Sequence, residues 1–380
     1  MPVDLPFMAD QPTASARIKV SPEHFKVDEV LGFEPDGTGQ HYLFQILKIN
    51  RNTADVAREL SQMFGVRLVD VGYSGRKDKQ AVARQWFSVP AQSVDAVSSS
   101  VEGLGWKVEK RCRHGRKLRR GSHRGNAFDI RLSGFKGCAS DLEQRVLDLQ
   151  RRGFPNYFGS QRFGHQGRNI DEARRILGTD AVRLRRPSHQ MLLSAARSWL
   201  FNIVLGQRLL ENTWTRPLPG DIMMLAGSRS HFTAEKGDSM LPERLASLDI
   251  HVSGPLWGDV KAVQDQPAWQ RECCWLEGEA EMRDSVARTG ANPARRALRA
   301  TFDDLTLKWT HDSNPRLVFT LGRGCYATSL LRELVLFDLA MNLKLLADWL
   351  GSVSRSLVSH RLPVQKAARL RSMQLDQKEP

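Results

Sequence analysis

The stretch Gly72-Tyr73-Ser74-Gly75-Arg76-Lys77-Asp78-Lys79-Gln80-Ala81-Val82-Ala83-Arg84-Gln85-Trp86 decides how the rest of the chain is read. Upstream of it, Val66-Arg67-Leu68-Val69-Asp70-Val71 is mostly apolar and predicts a strand. The chain then turns on Gly72 and Gly75, residues that tolerate backbone angles others avoid. Apolar alternation resumes at Val82 and ends in Trp86-Phe87-Ser88-Val89, a second strand by period. Asp78 is thereby held on a glycine-bearing loop between two strands, with Lys77 and Lys79 favouring its ionised form. Taken alone, the stretch also reads as a charged hairpin tip in solvent.

The chain of 380 residues has room for about two domains. Its balance is basic: 56 Lys+Arg against 42 Asp+Glu leave a net charge of +14. Such an excess points to a polyanionic partner, nucleic acid first and an anionic membrane second. No apolar run reaches the ~18 residues of a membrane-spanning helix. Met1-Pro2-Val3-Asp4-Leu5-Pro6 lacks the charged start and apolar stretch of a signal peptide. The five cysteines (Cys112, Cys138, Cys273, Cys274 and Cys325) are odd in number and show no C-x-x-C spacing. They read as reduced thiols in a cytoplasmic protein. A monomer is the default.

Working outward, residues 1–16 read as an extended arm. Ile18–Val20, Phe25–Val30 and His41–Leu47 read as strands, and the short turn cluster at 34–39 predicts antiparallel pairing. Asn52 or Thr53 caps a helix with Val56, Leu60 and Phe64 on one face. Residues 107–124 then hold nine cations against the single Glu109. This run reads as a phosphate-contacting surface whose affinity falls with salt, with Arg111, Arg113, Arg116, Lys117, Arg119 and Arg120 as its contacts. A solvated loop is the plain alternative.

A strand at 125–132 and a helix at 140–151 follow. The aromatic- and glycine-rich segment 153–164 looks like a crossing between domains. Beyond it, helices are expected at 168–177, 188–210 and 275–289, with a short strand at 222–226. These boundaries give a first part at 1–152, a second domain at 153–300, a return to the first at 301–350 and a basic tail at 351–380. In the returning part, 305–309 and 316–321 read as paired strands, and a mostly buried helix is expected from Ala327 to Leu350.

No H-x-x-x-H, no P-loop, no dinucleotide-binding glycine pattern and no G-x-S-x-G elbow occurs. The expectation is chemistry without cofactor or metal. A lone carboxylate, a few aromatics and a basic surface fit an enzyme that isomerises an unstacked RNA base. They also fit a nonenzymatic RNA-binding or chaperone protein. An RNA hydrolase would want a second carboxylate and a divalent metal, and Asp70, inside the expected strand, is the only other acid close by.

Several segments resemble the TruD family of tRNA pseudouridine synthases. In the central stretch the matching residues are Gly75, Lys77, Asp78, Ala81, Gln85 and Trp86. Ser21-Pro22-Glu23-His24-Phe25, Leu31–Gly37, Gly125-Asn126-Ala127-Phe128, Pro155–Gly164, Leu193–Ser198 and Ala327–Leu334 also match, in the family's order. The resemblance spans about Ala16 to Leu334. It implies an α/β (α+β) fold: a pseudouridine-synthase catalytic domain on a mixed, largely antiparallel sheet, interrupted by an inserted TRUD domain. It implies isomerisation of uridine-13 in the dihydrouridine arm of tRNA, without a cofactor. It makes Asp78 the catalytic carboxylate, which either attacks the sugar or removes a ribose proton. Lys19 falls where the family has a cation near that Asp. Phe25 and Phe128 fall on aromatics of the uridine pocket, and Asn126 on a hydrogen-bonding position. Tyr326 stands where the family commonly has Phe. Lys77 is adjacent to Asp78, yet neighbours in extended chain point apart, so RNA phosphate is its other partner. Arg332 either reaches the site or is a buried helix arginine paired with an acid.

Overall fold

Alternating apolar residues build one large sheet, and the computed structural model describes residues 5–95, 101–178, 187–235 and 237–339 of it and its surroundings. After a short strand, β1 (Ser15–Ile18), come β2 (Phe25–Leu31) and β3 (His41–Ile49). Helix α1 (Thr53–Met63) lays Val56, Ala57 and Leu60 on the sheet beside Phe44 and Phe87. Strands β4 (Gly72–Tyr73), β5 (Val82–Pro90), β6 (Glu102–Gly103), β7 (Trp106–His114) and β8 (His123–Arg131) follow, with the short helix α2 (Ala91–Asp95) after β5.

Next come β9 (Ser133–Lys136), α3 (Ala139–Arg152) and β10 (Phe154–Pro155), then α4 (Arg168–Leu177) and the long α5 (Pro187–Leu210). A four-stranded sheet of order β12-β11-β13-β14 comprises β11 (Ile222–Leu225), β12 (His231–Thr233), β13 (Ile250–Leu256) and β14 (Ala294–Ala297). Helices α6 (Leu241–Ala246), α7 (Pro267–Trp275) and α8 (Ala280–Arg288) surround it. Trp199, Phe201, Trp214, Val252 and Trp269 lie in the core that unites these elements. The chain then runs through β15 (Arg299–Ala300), β16 (Phe302–Trp309), β17 (Pro315–Gly322), α9 (Ala327–Leu331) and β18 (Leu336–Leu339).

The large sheet has nine strands in the order β16-β17-β8-β2-β5-β3-β7-β6, with β4 added against β5. Only β2 and β5 pair in parallel. The sheet is therefore mixed and largely antiparallel, as expected. Strand β5 holds the centre because Gln85 through Val89 are all buried, covered on both faces. It lies between β2 and β3, so those two strands are not the antiparallel neighbours their short connection predicts.

Four other expectations are corrected. The strand read at Ile18–Val20 lies earlier, at Ser15–Ile18, because Lys19 turns the chain into the left-handed region. Val66–Val71 is not a strand: Leu68–Asp70 forms a 3-10 turn, with Leu68 and Val69 in solvent and the Arg67 guanidinium bracing Asp70 at 2.9 and 3.2 Å. The helical stretch expected at 275–289 is two helices, α7 and α8, broken by a 3-10 turn at Glu277–Glu279. The helix from Ala327 stops at Leu331, and the chain returns as a strand whose Leu336 N–H donates to the Ala14 carbonyl at 2.8 Å. Residues 340–350 of that expected helix, and the basic tail, lie outside the described residues.

Candidate active site

Asp78 sits on the loop between β4 and β5, which has no regular structure of its own from Ser74 to Ala81. Side chains from below hold its backbone. Gln85 Nε2 donates to the Gly75 carbonyl at 2.5 Å, and the Lys77 N–H donates to Thr53 Oγ1 at 3.0 Å. The Thr53 hydroxyl donates in turn to Gln85 Oε1 at 2.8 Å. Lys48, fully buried at the end of β3, donates its ammonium to the carbonyls of Asp78 at 2.9 Å and Arg51 at 2.8 Å. Burial draws Lys48 down to about 8, against the attraction of Asp78.

Gly72, in β4, and Gly75, on the loop, do not have the left-handed backbone their sequence suggests. Gly72 is required for space: a Cβ there would stand 2.4 Å from Ser88 Oγ and 2.5 Å from the Leu118 carbonyl. Gly75 has only ordinary contacts around it.

The carboxylate meets two donors. Lys19 Nζ lies 2.7 Å from Asp78 Oδ2, and Gln161 Nε2 donates to Oδ1 at 3.2 Å. Lys19 follows β1 in the left-handed region, φ 59°, a strained backbone for a lysine. That turn buries its side chain and sets the ammonium 4.3 Å from the centre of the Phe25 ring. Asp78 itself stays 31% exposed.

The carboxylate opens into a cavity of about 440 Å³, within the ~300–1,000 Å³ range of ligand pockets. Phe25, Lys77, Asp78, Asn126, Phe128 and Tyr326 all line it. Phe25 and Phe128 meet edge to face, their centroids 6.0 Å apart, and both are rooted in the sheet core. Asn126 Oδ1 is buried without a partner. The Tyr326 hydroxyl accepts from Arg162 Nη2 at 3.1 Å, and its ring meets Phe158 edge to face. Gly159 lets this wall close up, because a Cβ there would stand 3.0 Å from Thr328 Oγ1.

Two residues have other partners than phosphate or substrate. The Lys77 ammonium is buried against Glu29, whose carboxyl is pushed up by burial and held down by that same lysine. Arg332 is absent from the cavity wall: it donates to the Leu5 carbonyl at 2.5 Å and the Pro6 carbonyl at 3.3 Å, tying down the N-terminal arm.

The basic run divides. Its first half is strand β7, where Arg113 pairs with Asp95 and Tyr42, and Arg111 lies 4.1 Å from the Tyr42 ring. Lys117 donates to the Val69 carbonyl. Arg116, Arg119 and Arg120 are exposed, with no ion pair among the described residues. Their loop is stitched to the cavity rim. The Gly121 N–H donates to the Ser74 carbonyl at 2.7 Å, the Ser74 and Ser122 hydroxyls stand 2.9 Å apart, and Arg323 donates to the Gly121 carbonyl at 2.7 Å.

Some lining residues stand outside the sequence expectation. Gln161 and Arg162 come from the aromatic- and glycine-rich crossing, whose match to the family was their one signal. His123 lines the cavity from the start of β8. Lys48, beneath the loop, shows in sequence only as a cation ending an apolar strand.

Comparison with known proteins agrees with this architecture. A crystal structure described as tRNA pseudouridine synthase D from Methanosarcina mazei superposes with a TM-score of 0.67 at 17% identity, covering 88% of this chain and 96% of that one. The tRNA pseudouridine synthase D of Methylococcus capsulatus is 44% identical over 336 residues, 88% of this chain and 95% of the relative. That of Pseudomonas syringae pv. tomato is 39% identical over 321 residues, 84% and 91% of the two chains. The family description tRNA pseudouridine synthase D (TruD) matches residues 5–180 and 179–334. The family match and these relatives cover most of the chain, and the chain belongs to the TruD family.

Proposed function

We propose that this chain is a tRNA pseudouridine synthase that isomerises uridine-13 in the dihydrouridine arm, with Asp78 as its one catalytic carboxylate and no cofactor. Family membership supports the tRNA pseudouridine synthase activity. The observation that carries the site is the Asp78 carboxylate, paired with Lys19 yet open to a cavity walled by aromatic rings. The reaction breaks the ribose C1′–N1 bond, turns the uracil and rejoins it through C5, which loses its proton while N1 takes one up, so that the product is an isomer. Addition of a carboxylate oxygen to the sugar and removal of a ribose proton both need a lone pair that faces the nucleoside. Asp78 retains such lone pairs, because each oxygen meets a single donor among the described residues.

Phe25 and Phe128 would bound the flipped base, Tyr326 would stack from the far wall, and Asn126 would bond its edge. Arg116, Arg119 and Arg120 would follow the RNA backbone at the rim. Arg111, Arg113 and Lys117 would contribute less, being engaged within the protein. Residues 153–300 would form the inserted domain. In support, the chain enters and leaves that segment on the antiparallel pair Phe154–Pro155 and Arg299–Ala300. We place the protein in the cytoplasm, as a monomer without bound metal.

The test is incubation with unmodified tRNA transcript and mapping of pseudouridine at position 13. Asp78→Asn keeps the shape and should lower turnover by ~1,000-fold or more while tRNA binding survives. Product elsewhere in the tRNA would move the target, and tRNA binding without any product would leave a nonenzymatic RNA binder. Full activity of Asp78→Asn would remove Asp78 from the chemistry.

A further inference from the structure

Strict alternation along β8 sets Asn126 and Phe128 on one face and Gly125 and Ala127 on the other. On that period His123 belongs with Gly125 and Ala127, facing away from the cavity. The pairing with β2 breaks the period. Val30 pairs with Gly125, but Leu31 pairs with His123, leaving Arg124 as an extra residue. Such a bulge turns over every side chain beyond it and re-aims the strand end. His123 thereby joins Asn126 and Phe128 on the cavity wall, and Arg124 is turned out to solvent.

His123 is only 9% exposed, and its Nδ1 is buried with no hydrogen-bond partner among the described residues. Asn126 Oδ1 is the second such atom on the same wall. Arg162 Nε, on another residue lining the cavity, is a third. Buried polar atoms are almost always paired, so such orphans at one cavity mark bonds left for a ligand. Burial, reinforced by Lys77 and Arg323, lowers the imidazole to about 4. At neutral pH the ring therefore offers one N–H and one lone pair, and adds no charge beside Lys19 and Asp78.

The geometry points to His123 as a further substrate-positioning residue, whose Nδ1 hydrogen-bonds the polar edge of the uracil held against Asp78. This rests on the proposed reading of the cavity as a uridine site. With Asn126 it supplies two hydrogen-bonding groups from one strand, on either side of the bulge. The pair fixes which edge of the ring faces the sheet while Asp78 addresses the sugar. Arg124, the residue the bulge expels, is exposed, with its guanidinium 3.8 Å from the Asp303 carboxylate.

Steady-state kinetics on unmodified tRNA transcript tests the assignment. His123→Leu keeps the bulk and loses both nitrogens, and kcat/KM should fall about tenfold or more. His123→Asn puts an amide atom near the position of Nδ1 and should recover part of that loss. A merely structural role would move the unfolding midpoint of both variants without separating their kcat/KM. A His123→Leu variant within twofold of the parent, with the parent active, overturns the assignment and leaves the uridine reading intact. A parent that forms no pseudouridine overturns both. Should His123→Leu not fold, ¹⁵N spectra of the histidine-labelled parent decide. The Nδ1 resonance of His123 should shift on adding tRNA with 5-fluorouridine at position 13, and an unmoved resonance in the formed complex overturns the assignment.

Discussion

Glu272 and Asp78 are both carboxylates facing a cation, yet their surroundings are opposite. Glu272, on α7, is fully buried and gripped by Arg295 through two bonds of 2.6 and 2.7 Å. The remaining donors of Arg295 go to Ser253, and its guanidinium lies over Trp269. That cluster is closed. Asp78 takes one donor on each oxygen and keeps an open side toward the cavity, where buried polar atoms of His123, Asn126 and Arg162 lack partners. The histidines repeat the contrast. His251 and His123 are both lowered to about 4 by burial, but His251 Nδ1 accepts from Arg299 at 3.0 Å, whereas His123 Nδ1 has nothing. A closed polar network is scaffold, and one left incomplete beside a cavity is a site.

The comparison can be broken in three ways. The largest effect belongs to the closed cluster. Glu272→Ala leaves the Arg295 charge buried and should lower stability by ~3–5 kcal/mol in urea unfolding, with turnover per folded molecule unchanged. A loss well under that would mean the closed pair is not scaffold. Lys19→Met is the counterpart at the open pair. The exposed side of Asp78 can take water, so the unfolding midpoint should hardly move, while kcat falls on the order of tenfold or more. A destabilised but fully active variant would make Lys19 structural.

The smallest effect is in pH. An imidazole that takes a proton near 6.5 unfolded and only near 4 folded supports the fold above 6.5. That support is lost as the pH falls from 6.5 through 4. The slope is at most about 1.4 kcal/mol per pH unit for each histidine. Glu333, raised to about 7 by burial, works the other way: its contribution is present below about 4.5 and lost as the pH rises through 7. The histidine term is therefore read by difference. His251→Gln should flatten the acid-side slope relative to the parent, and an unchanged slope would show that His251 does not titrate in this range.

Much of the large sheet can be read from periodicity alone. The patterns at Phe25–Val30, His41–Leu47, 305–309 and 316–321 become β2, β3, β16 and β17, because each has one face in the core. Helices α3, α4 and α5 fall where their apolar spacing sets them. The expected strand at Val66–Val71 differs because short apolar runs carry no period, and Arg67 with Asp70 stabilises a turn there. The α9 boundary differs because the segment after Leu331 is engaged by the N-terminal arm and β1, contacts over three hundred residues apart in sequence.

At the site, Asp78, Lys19, Phe25, Asn126, Phe128 and Tyr326 could be named from the wording of their segments, and all but Lys19 line one cavity, with Lys19 bonded to Asp78. The burial of Lys77 against Glu29 could not be named, since it depends on strand β2 running beneath the loop.

The sequence by itself determined the basic surface, most strand and helix positions, the family and a lone aspartate on a turn. Only the tertiary structure decided which charges are closed and which stay open. It also decided that a single extra residue at Arg124 swings His123 to the aspartate's side. Local pattern sets which face a side chain takes within its own element. Register across β2 and β8, and packing from the distant 159–162 and 324–328 segments, set what that face meets.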